Sequence, residues 1–143
     1  MRLTISLKSE HVDKIFGHAR EAAPYECCGL IGGTDTVART IYRARNVSAD
    51  PLVAYDAAPE DLFRAQRQMR ERGEDLIGIY HSHPRAAEPR PSETDVRLAY
   101  YPSAVYLIVG LGSSEPCLRA FRISEREDTW EQVQFKIISN DNE

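Results

Sequence analysis

Apolar and polar residues alternate at the start of the chain and then change to a helical spacing. Leu3, Ile5 and Leu7 alternate with polar residues, which predicts a half-buried strand. Ser9 is the expected N-cap of a following helix, which ends before Pro24. Short apolar runs and further alternation predict strands over residues 28–33, 37–46, 76–80 (running on into 81–83), 104–111, 118–123 and 130–138. Helices are predicted from residue 59 towards 73 and over about 92–101.

The second predicted helix has recognisable ends and a core face. Pro59 fits its first turn, where a missing N–H is tolerated, and Gly73 is a natural C-terminal stop. Leu62, Phe63 and Met69 are its expected core residues.

The remaining segments define the fold class. Residues 104–111 are apolar almost throughout, which is typical of a strand covered on both faces. Residues 47–58 and the proline-rich 84–91 are predicted loops. A chain of 143 residues without internal repeats favours one domain. We therefore expect a single α/β domain over residues 1–138, with six or seven strands, three helices and a polar tail over 139–143.

Composition narrows the classes of function. The formal net charge is −4 and basic residues do not cluster, so nucleic acid is not an expected partner. Three cysteines, two of them adjacent, make a poor disulfide framework and favour a reducing compartment. The N-terminus lacks the pattern of a signal peptide, and no apolar run approaches the ~20 residues of a membrane helix. We expect a cytoplasmic protein that does not bind membranes.

The segment that carries chemistry begins with two histidines at the end of a predicted strand. Side chains two residues apart on a strand share a face, so His81 and His83 can converge on one ion. Asp95 follows in the first turn of the next predicted helix, where a carboxylate is favoured. Two histidines and a carboxylate leave one position for water, which is the arrangement of catalytic zinc sites. Glu26 is the candidate acceptor for the proton of that water.

The same residues also suit more ordinary roles and other kinds of metal site. Ser92 and Asp95 are typical of a helix N-cap and its capping partner, and Glu26 alone would suit a solvent-facing charge. The two-histidine, one-carboxylate set also forms the facial triad of non-haem iron oxygenases, which leaves Glu26 and Ser92 without a role. Amidohydrolase-like barrels, which also carry His-x-His, need about 200 residues or more, so the chain is too short for one.

The whole pattern resembles the signature of the JAMM (MPN+) metalloproteases. That signature is a glutamate well upstream of H-x-H-P, then a loop ending in P-S-x-x-D; here the segments read PYECCGLIGG, IYHSHP and PSETDV, followed by SAVYLIVGL. The resemblance spans residues 9–138 and is greatest to the short prokaryotic members. Asn46, Tyr55 and Pro59 fall where those members tend to carry such residues. The loop from Pro84 to Pro91 is one residue longer than is usual in the family.

This resemblance implies a fold, a site and a substrate. The fold would be a single MPN domain with a curved, mixed and largely antiparallel sheet flanked by three helices. One Zn²⁺ per chain would be held by His81, His83, Asp95 and a water. Glu26 would act as general base, and Ser92 would help to stabilise the oxyanion.

The implied reaction is hydrolysis after the C-terminal glycine of a ubiquitin-like sulfur-carrier or modifier protein with a Gly-Gly tail. Residues 47–58 and the stretch after His83 would form the walls of the substrate groove. The alternative is a non-catalytic MPN scaffold that binds protein partners. Such scaffolds typically lack one or more metal ligands, and none is missing here.

Overall fold

The computed structural model describes residues 3–140, so residues 1, 2 and 141–143 of the predicted domain and tail lie outside it. Seven strands and three helices are present within these residues. In chain order they are β1 (Leu3–Lys8), α1 (Ser9–Ala22), β2 (Cys28–Thr34), β3 (Val37–Ala44), α2 (Pro59–Arg72), β4 (Asp75–His83), α3 (Glu93–Arg97), β5 (Val105–Gly110), β6 (Cys117–Ser124) and β7 (Thr129–Ile138). This confirms the predicted mixed α/β class.

The strands form one sheet that closes on itself. Their order is β1-β3-β2-β4-β5-β6-β7, and β7 pairs with β1 to complete a barrel. The pairs β1–β3, β1–β7 and β4–β5 are parallel, and the other four are antiparallel. β4 pairs with β2 on one side and with β5 on the other, so the strand that carries the His-x-His segment has no free edge.

Apolar side chains cover both faces of the sheet, as β5 illustrates. Val105, Leu107 and Val109 belong to a core that includes the buried face of α1. Tyr106 and Ile108 point the other way, into a core shared with α2 and α3. Because successive strand residues alternate between faces, a strand buried on both sides is apolar at every position. The predicted double burial of this strand is confirmed.

Helix α2 begins and ends as expected but presents a narrower core face. Pro59 occupies its first turn, and Gly73 has the left-handed φ of 69° that lets the helix stop. Met69 is buried and Leu62 packs against the same core, but Phe63 is 68% exposed. The prediction that Phe63 faces the core was wrong, because the next residue along a helix lies about 100° further round.

Three predicted boundaries need correction. The N-cap of α1 is Lys8, whose backbone N–H donates to His11 Nδ1 (3.1 Å), and Ser9 is already helical. β3 ends at Ala44, two residues early. α3 stops at Arg97 instead of continuing to about residue 101. The N–H of Tyr101 instead donates to the hydroxyl of Tyr106 in β5 (3.2 Å).

Two further expectations concern the chain as a whole. Cys27, Cys28 and Cys117 are free thiols, in line with a poor disulfide framework. No helix within residues 3–140 is long and apolar enough to cross a membrane.

Candidate active site

Three predicted ligand atoms meet where β4 ends and α3 begins. His81 Nε2 and His83 Nε2 are 3.1 Å apart. Asp95 Oδ2 lies 3.1 Å from His81 Nε2 and 3.0 Å from His83 Nε2. His81 is fully buried, and Asp95 is 9% exposed. The fold therefore brings together two histidines from one strand and a carboxylate that follows the second of them by twelve residues.

This triangle has the dimensions of one face of a metal tetrahedron. Ligand atoms about 2.0–2.1 Å from zinc lie about 3.3 Å from one another in a tetrahedral site. The three distances here are 3.0–3.1 Å. Glu26 is close as well, since it presents a ligand atom within 4.8 Å of those of His81 and His83. Glu26 and Asp95 are thus two carboxylates beside the same pair of imidazoles, and Asp95 Oδ2 is within hydrogen-bond distance of both Nε2 atoms.

Ser92 and Asp95 cap α3 and belong to the cluster at the same time. The Asp95 N–H donates to Ser92 Oγ (3.0 Å), and the Ser92 N–H donates to Asp95 Oδ2 (2.9 Å). This reciprocal pair is a capping box. The capping interpretation and the metal-site interpretation are therefore compatible: the cap holds the carboxylate in the orientation that a ligand needs. Ser92 Oγ accepts in the cap, so its O–H proton stays free to donate.

The electrostatics of the cluster keep the carboxylate ionised. Burial acts to raise the pKa of Asp95, but the contacts with His81 and His83 and the N–H of Ser92 hold this pKa well below its usual range. Burial acts to lower the pKa of His83, and the adjacent Asp95 raises it overall. A permanently charged carboxylate between two imidazoles is a donor set suited to a divalent cation.

Glu26 is a buried carboxyl group beside the cluster. It is 5% exposed, and its Oε1 has no hydrogen-bond partner among the described residues. Burial raises its pKa to about 7, with attraction from His83 acting against the shift and repulsion from Asp95 adding to it. A carboxyl group with this pKa exchanges a proton readily at neutral pH.

The backbone of Glu26 is held by Asn46. The Asn46 side-chain amide donates to the Glu26 carbonyl (2.9 Å) and to the Ala54 carbonyl (3.0 Å). Its Oδ1 accepts from the N–H groups of Ser48 and Asp56, both at 3.0 Å. One side chain thus joins the segment of Glu26 to both ends of the loop over residues 47–58.

Two other supporting residues were missed as site residues in the sequence. Ser82 lies between the histidines and points to the opposite face of β4, where its Oγ accepts from the Cys27 N–H (2.9 Å). Tyr55 stacks on the His81 ring, with centroids 4.5 Å apart. A buried serine inside an apolar strand was the available signal for Ser82. The family resemblance marked the position of Tyr55 but gave it no role.

The two predicted groove walls border one open cavity, called here the polar cleft. It has a volume of about 420 Å³ and is lined by Glu26, His83 and Ser92 together with Leu52 and Val53 from one wall and residues 84–86 from the other. The candidate base and the candidate oxyanion donor thus open into the same space.

Comparison with known proteins identifies the family. The model of the prokaryotic homologs of the JAB domain matches residues 8–124. A desampylase of Haloferax volcanii is 42% identical over 111 residues, 73% of this chain and 78% of the relative. The CysO-cysteine peptidase of Mycobacterium tuberculosis is 31% identical over 131 residues, 89% of this chain and 88% of the relative. A solved protein of Desulfitobacterium hafniense matches with a TM-score of 0.84 and 31% identity, covering 95% of this chain and 94% of its own.

The chain belongs to the prokaryotic JAB family of JAMM/MPN domains, and it is a hydrolase of the JAMM type. Membership, fold and enzyme class are confirmed. The roles of individual site residues remain predictions.

Proposed function

We propose that this chain is a zinc-dependent peptidase or isopeptidase that hydrolyses the bond after the C-terminal glycine of a ubiquitin-like protein. The observation that carries the proposal is the buried triangle of His81, His83 and Asp95 beside the carboxyl group of Glu26. The desampylase and the CysO-cysteine peptidase among its relatives support cleavage of ubiquitin-like modifier conjugates.

His81, His83 and Asp95 are the proposed protein ligands, with a water completing the set. Zinc held there would act as a Lewis acid and lower the pKa of that water to about 7. Glu26, whose Oε1 has no hydrogen-bond partner among the described residues, is the proposed group that takes a proton and later passes it to the leaving amine. The raised pKa of this group, about 7, suits both steps.

Ser92 is the proposed donor to the carbonyl oxygen that gains negative charge during attack. Its hydroxyl lines the polar cleft with Glu26, and the cap of α3 fixes its position. A donor of this kind contributes roughly 2.7–4 kcal/mol to transition-state stabilisation. The proposal thus gives the three ligands, Glu26 and Ser92 separate tasks.

The metal assignment is tested by measuring the metal content of the purified chain and of Asp95→Ala. About one zinc per chain, lost in the variant, supports the ligand set. Asp61→Ala is the matched control, because Asp61 is a buried first-turn aspartate of α2 that contacts arginines rather than histidines. Zinc retained in Asp95→Ala contradicts the assignment. Iron would favour the oxygenase, and a folded, metal-free chain would favour the scaffold.

The reaction is tested with a ubiquitin-like domain whose Gly-Gly terminus is joined by an amide bond to a lysine peptide. The zinc-loaded chain should release the peptide, and Glu26→Gln should bind zinc normally but lose about 10²-fold or more in kcat. Glu21→Gln is the control, since Glu21 is an exposed glutamate near Glu26 that pairs with Arg43. An intact adduct contradicts the proposed substrate, and full activity of Glu26→Gln excludes Glu26 as the base.

A further inference from the structure

A second cavity, called here the apolar pocket, adjoins the metal cluster. It has a volume of about 210 Å³ and lies between the sheet, α2 and the segment that follows α3. Its apolar walls include Leu30, Leu62, Ile79, Leu98, Tyr101 and Tyr106. Nothing in the proposed catalytic steps uses this space.

The apolar pocket is continuous with the site. Asp95, a proposed metal ligand, lines it, and so does Tyr55, whose ring stacks on His81. A group bound in the pocket would therefore lie against side chains that hold the reacting centre. This contact makes the pocket a part of the substrate path rather than a remote cavity.

The position of Glu26 shows which part of the substrate enters the pocket. Glu26 lines the polar cleft and a second open cavity on its own side, but it does not line the apolar pocket. A general acid must lie within hydrogen-bond reach of the leaving nitrogen. The leaving amine is therefore expected on the side of Glu26. The acyl part, which ends in the terminal glycine, is expected on the side of the apolar pocket.

The size and chemistry of the pocket define its occupant. A cavity of about 150 Å³ lined by apolar side chains holds a benzene molecule, so about 210 Å³ holds one side chain of leucine to phenylalanine size. Glycine has no side chain to fill it. The occupant therefore belongs to a residue upstream of the glycine pair.

We infer that the apolar pocket is a specificity subsite for one large apolar side chain among the two residues that precede the C-terminal Gly-Gly of the substrate. This inference rests on the proposed function and adds the sequence preference of the tail. At the mouth, Leu98 is 43% exposed and Tyr101 is 39% exposed, so apolar surface is available to cover such a side chain. Burial there would favour the transition state and the bound tail alike.

The test uses ubiquitin-like domains joined by an amide to a lysine peptide, with tails that differ only before the Gly-Gly. Leucine, alanine and glutamate are placed in turn at each of the two preceding positions. Leucine at one of them should give a kcat/KM about tenfold or more above alanine, and glutamate should fall below alanine. Equal rates for all tails would overturn the inference.

A pair of variants links the preference to the pocket. Leu98→Glu places a charge at its mouth and should raise KM for the leucine tail, reducing the leucine-to-alanine ratio towards 1. Ile137→Glu is the matched control, because Ile137 is a similarly exposed apolar residue of β7 (53%) outside the pocket lining. The control should keep the full ratio. An unchanged ratio in Leu98→Glu would overturn the assignment.

Two failures can be told apart. If no Gly-Gly adduct is cleaved, the proposed function fails. If all adducts are cleaved without regard to the tail, only the subsite fails. Binding of free peptides ending in Leu-Gly-Gly or Ala-Gly-Gly to the zinc-loaded Glu26→Gln chain, measured by calorimetry, gives an independent reading. We expect the leucine peptide to bind about tenfold more tightly than the alanine peptide, with leucine either directly before the Gly-Gly or one residue earlier. Equal affinities at both positions would contradict the subsite.

Discussion

β4 and β5 are neighbouring parallel strands that bury different chemistry. Their register places His81 opposite Ile108 and His83 opposite Gly110. His81 and Ile108 are both fully buried, yet one carries two nitrogens and the other only carbon. β5 is apolar and buried at every position, whereas β4 becomes polar in its last three residues.

The difference shows how a central strand can hold a polar site. A buried polar side chain is destabilising unless it is hydrogen-bonded or bound to a metal. Asp95 supplies a partner for each Nε2, while His81 Nδ1 has none among the described residues. β5 supplies the rigid apolar support beside this arrangement. The sheet thus places the polar candidate-site residues on β4 and their apolar support on β5.

The largest expected effect comes from replacing a histidine of β4 by an apolar residue of the kind that fills β5. His81→Leu should abolish zinc binding and reduce turnover by more than about 100-fold, because it removes a ligand. The stability of the metal-free chain should change little, since replacing the unpartnered Nδ1 by carbon is offset by losing the contact of Nε2 with the buried Asp95 carboxylate. Metal analysis and thermal unfolding in chelator measure the two effects.

A change in β5 provides the contrast. Ile108→Ala should lower the free energy of unfolding by about 2–5 kcal/mol while the chain that remains folded still binds zinc. If His81→Leu instead unfolds the metal-free chain and Ile108→Ala does not, the proposed division between the two strands is wrong.

The next effect concerns Gly110, which stands beside His83. A Cβ at this position would lie 2.3 Å from the Ala86 carbonyl oxygen and 2.8 Å from the Pro89 ring. Gly110→Ala must therefore displace the loop over residues 84–91, which leads to Ser92 and Asp95. We expect a loss of about 1–3 kcal/mol of stability and a larger loss of activity than that destabilisation explains. Denaturant unfolding and kcat/KM on the same samples compare the two.

Gly17 is the matched control for that change. It lies inside α1, and a Cβ there meets nothing within 4 Å among the atoms around it. Gly17→Ala should raise stability by about 0.5–1 kcal/mol and leave activity unchanged, because alanine is the better helix former. Equal tolerance of alanine at both glycines would show that the loop adapts and that β5 does not fix it.

The smallest effect is the pH dependence that Glu26 gives to the metal-free chain. Its pKa is raised from 4.5 to about 7, so the folded chain holds this proton more tightly than the unfolded chain. The contribution to stability is therefore complete below about pH 4.5 and is lost as the pH rises through about 7. Glu26→Gln should be more stable than the parent chain at pH 8 by roughly 1–3 kcal/mol and similar at pH 4. If the stability difference between Glu26→Gln and the parent chain is the same at pH 4 and at pH 8, the burial argument is wrong.

Local patterns predicted the elements better than their ends. Alternation identified β1, and apolar runs identified β5 and the strand that carries the histidines, because both patterns depend only on neighbouring residues. The prediction for α3 failed beyond Arg97, where a hydrogen bond from Tyr101 to Tyr106 determines the path of the chain. The closure of β7 onto β1 was equally unreadable, since it joins residues from opposite ends of the sequence.

Site residues that lie close together in the sequence were easier to predict than those that lie far apart. His81, His83 and Asp95 lie close together in the chain, so spacing alone suggested that they meet. Glu26 lies 55 residues before His81, so spacing did not connect the two; the need for a proton acceptor made it a candidate, and the family resemblance supported it. The hydrogen bonds of Asn46 depend on a loop whose shape no periodic pattern describes.

The hydrogen bonds of Asn46 also bear on the speed of substrate capture. Its side chain satisfies four backbone groups, three of them in the loop that forms one wall of the polar cleft. A wall that is already folded loses little conformational entropy when a substrate arrives. Association is then limited by collision and orientation rather than by a slow ordering step. We therefore expect the loop that forms this wall to keep its conformation when substrate binds.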